Sequence, residues 1–248
     1  MHRCRILALL ASLTLVVVGC GRDVPKGPQP LSRVQSERLA QAAFSNMQSG
    51  GAKFEANSAF LGVDDNIALT LVGEVDWTNH VGRAVVRGGG PDAGLTEVYW
   101  EESFVLERRP AVDQIVASRG GPATPWIMRQ PEPQVRQLDR MLGILIGLAA
   151  EQPDNAVLLQ QDEMNVFVRP DELRGSSVEV LRFGERSLYW LDADDGTMLR
   201  FEGNSAGGNA PTIVDFLKRG RVEIPRPAPT DVISRESISE IYDAFAGS

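Results

Sequence analysis

An alternation of apolar and polar residues constrains this chain most, because it recurs along most of its length. The clearest example runs from Asn66 to Trp77. Apolar side chains fall on one face and polar side chains on the other, which is the pattern of a half-buried strand. The apolar face carries Ile67, Leu69, Leu71, Val75 and Trp77. The pattern predicts a β-sheet with one apolar face.

Further segments of this kind lie on both sides of a central helical region. Together they predict a sheet of roughly nine strands. The segment Thr96–Arg109 is either one strand or a bent pair, and Asp194-Asp195-Gly196 is a hairpin turn, because Asp-Gly tolerates positive φ. The other predicted strands are Lys53–Leu61, Val81–Arg87, Val157–Gln160, Met164–Val168, Val178–Phe183, Ser187–Leu191, Met198–Glu202 and Ile213–Leu217.

Three helices are predicted. The first begins at a cap, Ser32 or Ser36, runs to about Gln48 and ends at Gly50-Gly51. The second covers residues 134–151, and from Met141 to Ala150 every residue is apolar or glycine. A helix that is apolar all round must be covered on all sides, and this run is too short to cross a bilayer. A short helix is predicted at Glu236–Phe245.

Two glycines four residues apart, Gly143 and Gly147, interrupt the second helix. Glycine permits close approach of a helix to a sheet. Alternatively, the missing side chains leave room for an acyl chain between helix and sheet. The sequence leaves both interpretations open.

The first twenty residues resemble a bacterial lipoprotein signal peptide. Arg3 and Arg5 precede an uncharged apolar run, Ile6–Val18, and the segment ends at Gly19-Cys20. The resemblance implies cleavage after residue 19 and acylation of Cys20 by chains such as palmitate. The run is too short for a membrane-spanning helix. An ordinary secretory signal has the same layout and remains an alternative.

The rest of the chain is predicted to be a proline-containing tether, residues 20–31, and a single domain, residues 32–248. The only cysteines are Cys4, which is lost with the signal, and Cys20, so the domain has no disulfide. The net charge of the whole chain is −8, and losing Arg3 and Arg5 makes it more negative. A surface of this charge disfavours nucleic acid as a partner.

No segment forms a catalytic or metal-binding pattern. His80 is the only histidine after the signal and lies in a predicted turn, without the serine motif of a hydrolase. The acidic stretch Asp192–Gly196 lacks the spacing of a calcium loop. Glu101 and Glu102 are neighbours on a strand and therefore point to opposite faces. We expect no catalytic residue, no metal site, no cofactor and no enzymatic activity.

The order of elements resembles the LolA-like superfamily, including lipid-binding lipoproteins of the LppX and LprG type. The resemblance rests on the N-terminal helix and five short segments. It implies an α+β fold in which a strongly curved antiparallel half-barrel holds lipid on its concave face, covered by helices. No counterpart is evident for residues 120–133. The five segments are Leu71–Trp77, Tyr189–Asp192, Met198–Glu202, Ile213–Phe216 and Glu223–Pro227.

These observations predict a lipoprotein anchored to the cell membrane on its extracytoplasmic side, which binds a lipid or another hydrophobic molecule and, in one interpretation, carries it. The alternative is an interaction module of the cell envelope with a filled core, which binds a protein partner. The residues predicted to line the lipid cavity are Ile67, Leu69, Leu71, Trp100, Met141, Leu142, Leu145 and Ile146.

Overall fold

The computed structural model describes residues 27–59, 68–89, 92–203 and 211–240, and every structural statement below refers to them. Cys20 and Ile67 lie outside these ranges. The helices are α1 (Arg33–Ser49), α2 (Asp113–Ser118), α3 (Gln137–Gly147) and α4 (Ala156–Gln161). The strands are β1 (Gln29–Pro30), β2 (Gly51–Ala59), β3 (Ala68–Asp76), β4 (Val81–Arg87), β5 (Glu97–Glu101), β6 (Val105–Arg108), β7 (Trp126–Arg129), β8 (Val166–Leu173), β9 (Ser176–Phe183), β10 (Ser187–Asp192), β11 (Met198–Gly203), β12 (Thr212–Arg219) and β13 (Val232–Ser234).

The described strands form one open sheet in the order β1-β8-β9-β10-β11-β12-β2-β3-β4-β5-β6-β7-β13. Two antiparallel meanders, β2 to β7 and β8 to β12, join where β12 pairs with β2. Neighbouring strands are antiparallel except β13, which pairs with β7 in parallel. The predicted α+β class, with a mostly antiparallel half-barrel, is confirmed.

The main core lies on the concave face of the sheet. Opposed residues of neighbouring strands form a continuous apolar row across it: Phe201, Val214, Ala56 and Leu71. Helices α1 and α3 contribute their apolar residues to the same cluster. The helices therefore cover the concave face, as the family resemblance implied.

Helix α1 begins and ends as its sequence predicts. The Ser32 hydroxyl accepts a hydrogen bond from the Gln35 backbone N–H, and the Gln35 side chain accepts one from the Ser32 backbone N–H. This capping box satisfies two backbone donors that the helix itself leaves unpaired. Gly50 ends the helix with a left-handed φ of 80°, a conformation that glycine adopts without strain.

Two hydrogen bonds fix the C-terminal half of α3. The indole Nε1 of Trp77 donates to the Leu145 carbonyl at 2.9 Å, and Asn46 Nδ2 donates to the Leu148 carbonyl at 2.6 Å. Trp77 directly follows β3, and Asn46 belongs to α1. Sheet and helix therefore hold α3 from two sides.

The structure corrects several predicted elements. Val157–Gln160 is not a strand but part of α4, because Asn155 caps this segment by accepting hydrogen bonds from the N–H groups of Val157 and Leu158. The described residues form thirteen strands instead of roughly nine, and Thr96–Arg109 is the bent pair β5 and β6. At the C-terminus a short 3-10 turn covers Arg235–Ile238, and residues 241–245 of the predicted helix lie outside the described ranges.

The segment after β12 packs on the convex face. Ile224 and Val232 contact the cluster of Tyr99, Leu106 and Trp126. Helices α1 and α3 therefore pack on one face of the sheet, and the segment from β12 to β13 packs on the other. In the part of the chain that the structure describes, no helix is long and apolar enough to span a membrane.

Candidate ligand-binding site

A pocket of about 310 Å³ lies between α3, the β5–β6 hairpin and the segment that leads into α3. Its volume is at the low end of the range of small-molecule sites, about 300–1,000 Å³. Its walls are mostly apolar. They consist of Trp100, Glu101, Glu102, Val105, Pro131, Pro133, Asp139, Leu142, Gly143, Ile146 and Gly147.

Gly143 and Gly147 leave this pocket open. A Cβ added at either position would meet no atom within 4 Å. Neither glycine lies against the sheet, so close approach of helix and sheet does not explain them. Both glycines are exposed and line the pocket, so their missing side chains leave the α3 side of the pocket open to solvent.

The residues predicted to line the cavity fall into two groups. Trp100, Leu142 and Ile146 line the pocket. The remaining described ones are fully buried in the main core and do not line it: Leu69, Leu71, Met141 and Leu145. The protein's own side chains thus fill the central space between sheet and helix, and the open space lies at its margin.

Trp100 forms the sheet side of the pocket. Its ring lies over Gly82, where an added Cβ would overlap the indole, and it meets Phe54 edge-on at 6.3 Å between ring centroids. Its indole Nε1 is buried and has no hydrogen-bond partner among the described residues. The position of Trp100 therefore depends on packing, and above all on the absence of a side chain at residue 82.

These contacts predict opposite effects for two glycine-to-alanine changes. Gly143→Ala should raise the free energy of unfolding by about 0.5–1 kcal/mol, because alanine favours the helix and meets no neighbour. Gly82→Ala should lower it by about 1–3 kcal/mol, because the ring of Trp100 must move. Urea unfolding of both variants tests this pair. If both variants changed the free energy of unfolding by the same amount in the same direction, the contacts described for Gly143 and Gly82 would be wrong.

Six charged side chains anchor the N-terminal end of α3. We call this set, Asp92, Glu107, Arg109, Arg129, Arg136 and Asp139, the α3 ion-pair cluster. Arg129 bridges Glu107 at 2.5 Å and Asp139 at 2.6 Å, and Arg136 bridges Asp92 at 2.6 Å and Glu107 at 3.0 Å. Arg109 lies 3.0 Å from Glu107. The side chains are at most 11% exposed.

The cluster contains three arginines and three carboxylates, so it is electrically balanced. Burial, the strongest influence on Arg129, favours its neutral form, but the hydrogen bonds and charges of Asp139 and Glu107 outweigh it. The pKa of Arg129 is therefore raised above its usual value. Asp139 also accepts the Glu132 backbone N–H at 2.6 Å. The cluster joins β6 and β7 to α3 and holds one wall of the pocket in place.

The mouth of the pocket is acidic. Glu101 accepts a hydrogen bond from the Tyr99 hydroxyl at 2.8 Å, and Glu102 lies 2.8 Å from His80 Nδ1. Burial, followed by the hydrogen bond and charge of Glu101, raises the pKa of Tyr99. The sequence predicted that the two glutamates point to opposite faces of a strand, but Glu102 lies beyond the end of β5 and both line the pocket. Their position beside an apolar wall disfavours an anionic group at the mouth.

A second pocket, of about 330 Å³, lies between α1, α4 and β10. Leu39, Ala43, Leu159, Phe183 and Tyr189 are among its lining residues. Burial, with a smaller contribution from Asp154, raises the pKa of Tyr189 to about 12. In the described ranges, no group of three or more histidine, cysteine or acidic side chains is arranged to hold a metal ion.

We expect the folded protein to lose stability in alkaline solution because of Tyr189. Its pKa rises from the ordinary tyrosine value of 10.0 to about 12 in the fold, so the folded state holds the proton more tightly than the unfolded state. Stability from this group is complete below pH 10 and falls by up to about 1.4 kcal/mol per pH unit above it. Denaturant unfolding between pH 9 and pH 12 should show a steeper decline in wild type than in Tyr189→Phe. Parallel profiles would contradict this.

No protein-family model and no curated protein sequence matches the chain. Several solved structures do. LprF from Mycobacterium bovis is 12% identical with a TM-score of 0.42, over 82% of this chain and 99% of LprF. A LolA superfamily protein from Nitrosomonas europaea is 10% identical with a TM-score of 0.32, over 79% of this chain and 96% of its own.

A third match is a putative outer membrane lipoprotein-sorting protein domain from Vibrio parahaemolyticus. It is 10% identical with a TM-score of 0.31, and the alignment covers 77% of this chain and 91% of that domain. The Nitrosomonas europaea protein is described as a member of the superfamily that the sequence resembles.

Proposed function

We propose that this protein is a non-enzymatic lipoprotein, anchored through Cys20 on the extracytoplasmic side of the membrane, that binds a hydrophobic ligand in the pocket beside α3. The observation that carries the proposal is the space beside Gly143 and Gly147 on α3, in a pocket that Trp100 and Val105 line from the β5–β6 hairpin. An apolar ligand gains about 25 cal/mol for each Å² that it buries.

The volume limits the ligand. A pocket of about 310 Å³ takes one acyl chain segment or a compact apolar molecule, because larger ligands need sites nearer the upper end of the usual range. Helix α3 is held by Trp77 near its C-terminus and by the α3 ion-pair cluster near its N-terminus, which opposes widening. Glu101 and Glu102 at the mouth favour a neutral or cationic head group.

The pocket is tested by filling it from α3. Gly147→Trp introduces a large side chain where no atom lies within 4 Å. The affinity for a neutral apolar fluorophore, N-phenyl-1-naphthylamine, should fall by about tenfold or more, which corresponds to about 1.4 kcal/mol. Gln48→Trp, at an exposed position of α1, is the matched control and should bind normally. Equal binding by both variants would exclude this pocket as the site.

The ligand itself is sought by mass spectrometry of lipids that co-purify with the wild-type protein. A neutral or cationic single-chain species should be present in wild type and depleted in Gly147→Trp. Protein that carries no lipid and binds no fluorophore would overturn the binding proposal. The anchor is tested separately, since Cys20→Ser in the full chain should abolish acylation and release the protein from the membrane fraction.

The second candidate function is an envelope interaction module that binds a protein partner. The full burial of Leu69, Leu71, Met141 and Leu145 favours it, because most of the concave face is occupied by the protein's own side chains. This candidate predicts saturable binding to an envelope protein that Gly147→Trp leaves unchanged. Pull-down with both tryptophan variants distinguishes it from ligand binding.

A further inference from the structure

Four exposed apolar side chains lie on α4, in the turn that precedes β8 and at the end of β9. We call Val157, Leu158, Met164 and Phe183 the α4 patch, and they are 61%, 61%, 40% and 36% exposed. Two hydrogen bonds from side chains to backbone carbonyls link the segments that carry them. Asn165 Nδ2 donates to the Leu159 carbonyl at 3.1 Å, and Arg182 Nε donates to the Met164 carbonyl at 3.3 Å. These bonds hold the segments that carry the four side chains, α4, the turn at Met164 and the end of β9, next to one another.

The N-terminal segment enters the fold beside this patch. Strand β1 pairs with β8 through Gln29 opposite Phe167 and Pro30 opposite Val166. Gln160 of α4 donates through Nε2 to the Leu31 carbonyl at 3.3 Å. Cys20 precedes Gln29 by nine residues, which span at most about 30 Å when extended. An acyl anchor on Cys20 therefore keeps this end of the sheet near the bilayer.

We propose that the α4 patch lies against the surface of the bilayer that holds acylated Cys20, with Val157 and Leu158 inserted among the lipid head groups. This inference rests on the proposed anchor. A short tether raises the effective concentration of the patch at the membrane to the millimolar range, so a small apolar surface suffices for contact. The patch binds by apolar burial, in the manner of interfacial helices.

The charges near the patch select the type of membrane surface. Asp162 and Glu163 follow α4 and are exposed, Arg182 is a cation beside Met164, and the chain as a whole is acidic, with a net charge of −8. Anionic head groups would be repelled, so the contact is with uncharged or zwitterionic lipid. Raising the salt concentration should therefore leave the contact unchanged.

Photo-crosslinking in the full chain tests this arrangement. The photoreactive residue p-benzoylphenylalanine is placed at Leu158 and, as a matched control, at Val135. Val135 is 73% exposed and precedes α3, near the opposite edge of the sheet. After irradiation of cells that acylate lipoproteins, mass spectrometry should find several-fold more phospholipid adduct at position 158 than at position 135. Cys20→Ser should remove the excess.

The outcomes separate this inference from the proposed function. Acylated Cys20 with equal lipid adducts at both positions would overturn the docking of the patch and leave the anchor in place. Adducts at position 158 to a second copy of the chain or to another protein, in place of lipid, would also overturn it. If Cys20 carried no acyl chain, the proposed anchor would be wrong. If the α3 pocket bound no ligand, the proposed contact between the α4 patch and the bilayer would be unaffected.

Discussion

Arg129→Met is expected to lower the free energy of unfolding by about 3–5 kcal/mol. Arg129 is 3% exposed, and its guanidinium bridges the buried carboxylates of Glu107 and Asp139. Methionine preserves much of the volume but removes the charge, so that the α3 ion-pair cluster keeps three carboxylates and only two arginines. An uncompensated buried charge is among the most costly defects in a folded protein. Equilibrium urea unfolding at neutral pH measures the loss.

A double variant distinguishes lost charge balance from lost packing. Arg129→Met combined with Asp139→Leu removes one charge of each sign and leaves the cluster balanced. Its loss of stability should be smaller than the sum of the two single losses, with a coupling of about 0.5–3 kcal/mol. Strict additivity, or a loss below about 1 kcal/mol for Arg129→Met alone, would show that the cluster does not compensate buried charge.

Trp77→Ala is expected to lower the free energy of unfolding by about 3–5 kcal/mol. The Trp77 side chain is fully buried and meets Phe216 edge-on at 5.7 Å between centroids. Its removal leaves a large cavity and leaves the Leu145 carbonyl without its hydrogen-bond donor. Because this bond holds α3 at the pocket, the affinity for N-phenyl-1-naphthylamine should change as well. Thermal unfolding and a fluorescence titration measure the two effects.

Trp77→Phe separates the hydrogen bond from the packing. It keeps an aromatic ring in the core but leaves the buried Leu145 carbonyl without its donor, which costs about 1–3 kcal/mol. The variant should therefore lie between wild type and Trp77→Ala in stability. If it unfolds as the wild type does, the indole N–H does not contribute to the position of α3.

The sequence correctly predicted those helices and strands whose structure depends on residues close together in the chain. Helix α1 follows from Ser32, one of the two predicted caps, and from the glycine that ends it, since caps act within a few residues. Strand β4 matches its predicted limits, Val81–Arg87, because a polar turn precedes it and consecutive glycines follow it. The period of two in β3 correctly identified the face that packs against the helices.

Short segments were predicted less well. The apolar run in α4 is too short for its period to distinguish a strand from a helix, and the Asn155 cap decided in favour of the helix. Strands β1, β7 and β13 have two to four residues each. Their pairing partners lie far away in the chain, and long-range pairing leaves no local pattern. The prediction therefore gave too few strands.

For the pocket, too, the sequence predicted the local pattern but not the long-range contacts. Alternation identified apolar side chains that face α3, but it did not show which of them pack against one another and which border open space. Trp100 lines the pocket, whereas Leu71 on the same face is fully buried in the core. Pro131 and Pro133, which also line it, precede the helix predicted at residues 134–151 and belong to no periodic pattern. Glu107 lies two residues after the apolar Val105 and therefore on the same buried face of β6. A charged residue on an apolar face was the sequence signal that could have indicated the ion-pair cluster.

The sequence by itself determined the α+β class, the apolar face of the sheet, the first helix and the apolar character of α3, because period and capping are properties of adjacent residues. Only the tertiary structure decided that Gly143 and Gly147 border open space and that Arg129 balances two buried carboxylates. Open volume and charge balance depend on residues from several strands and helices, and these meet only when the chain folds.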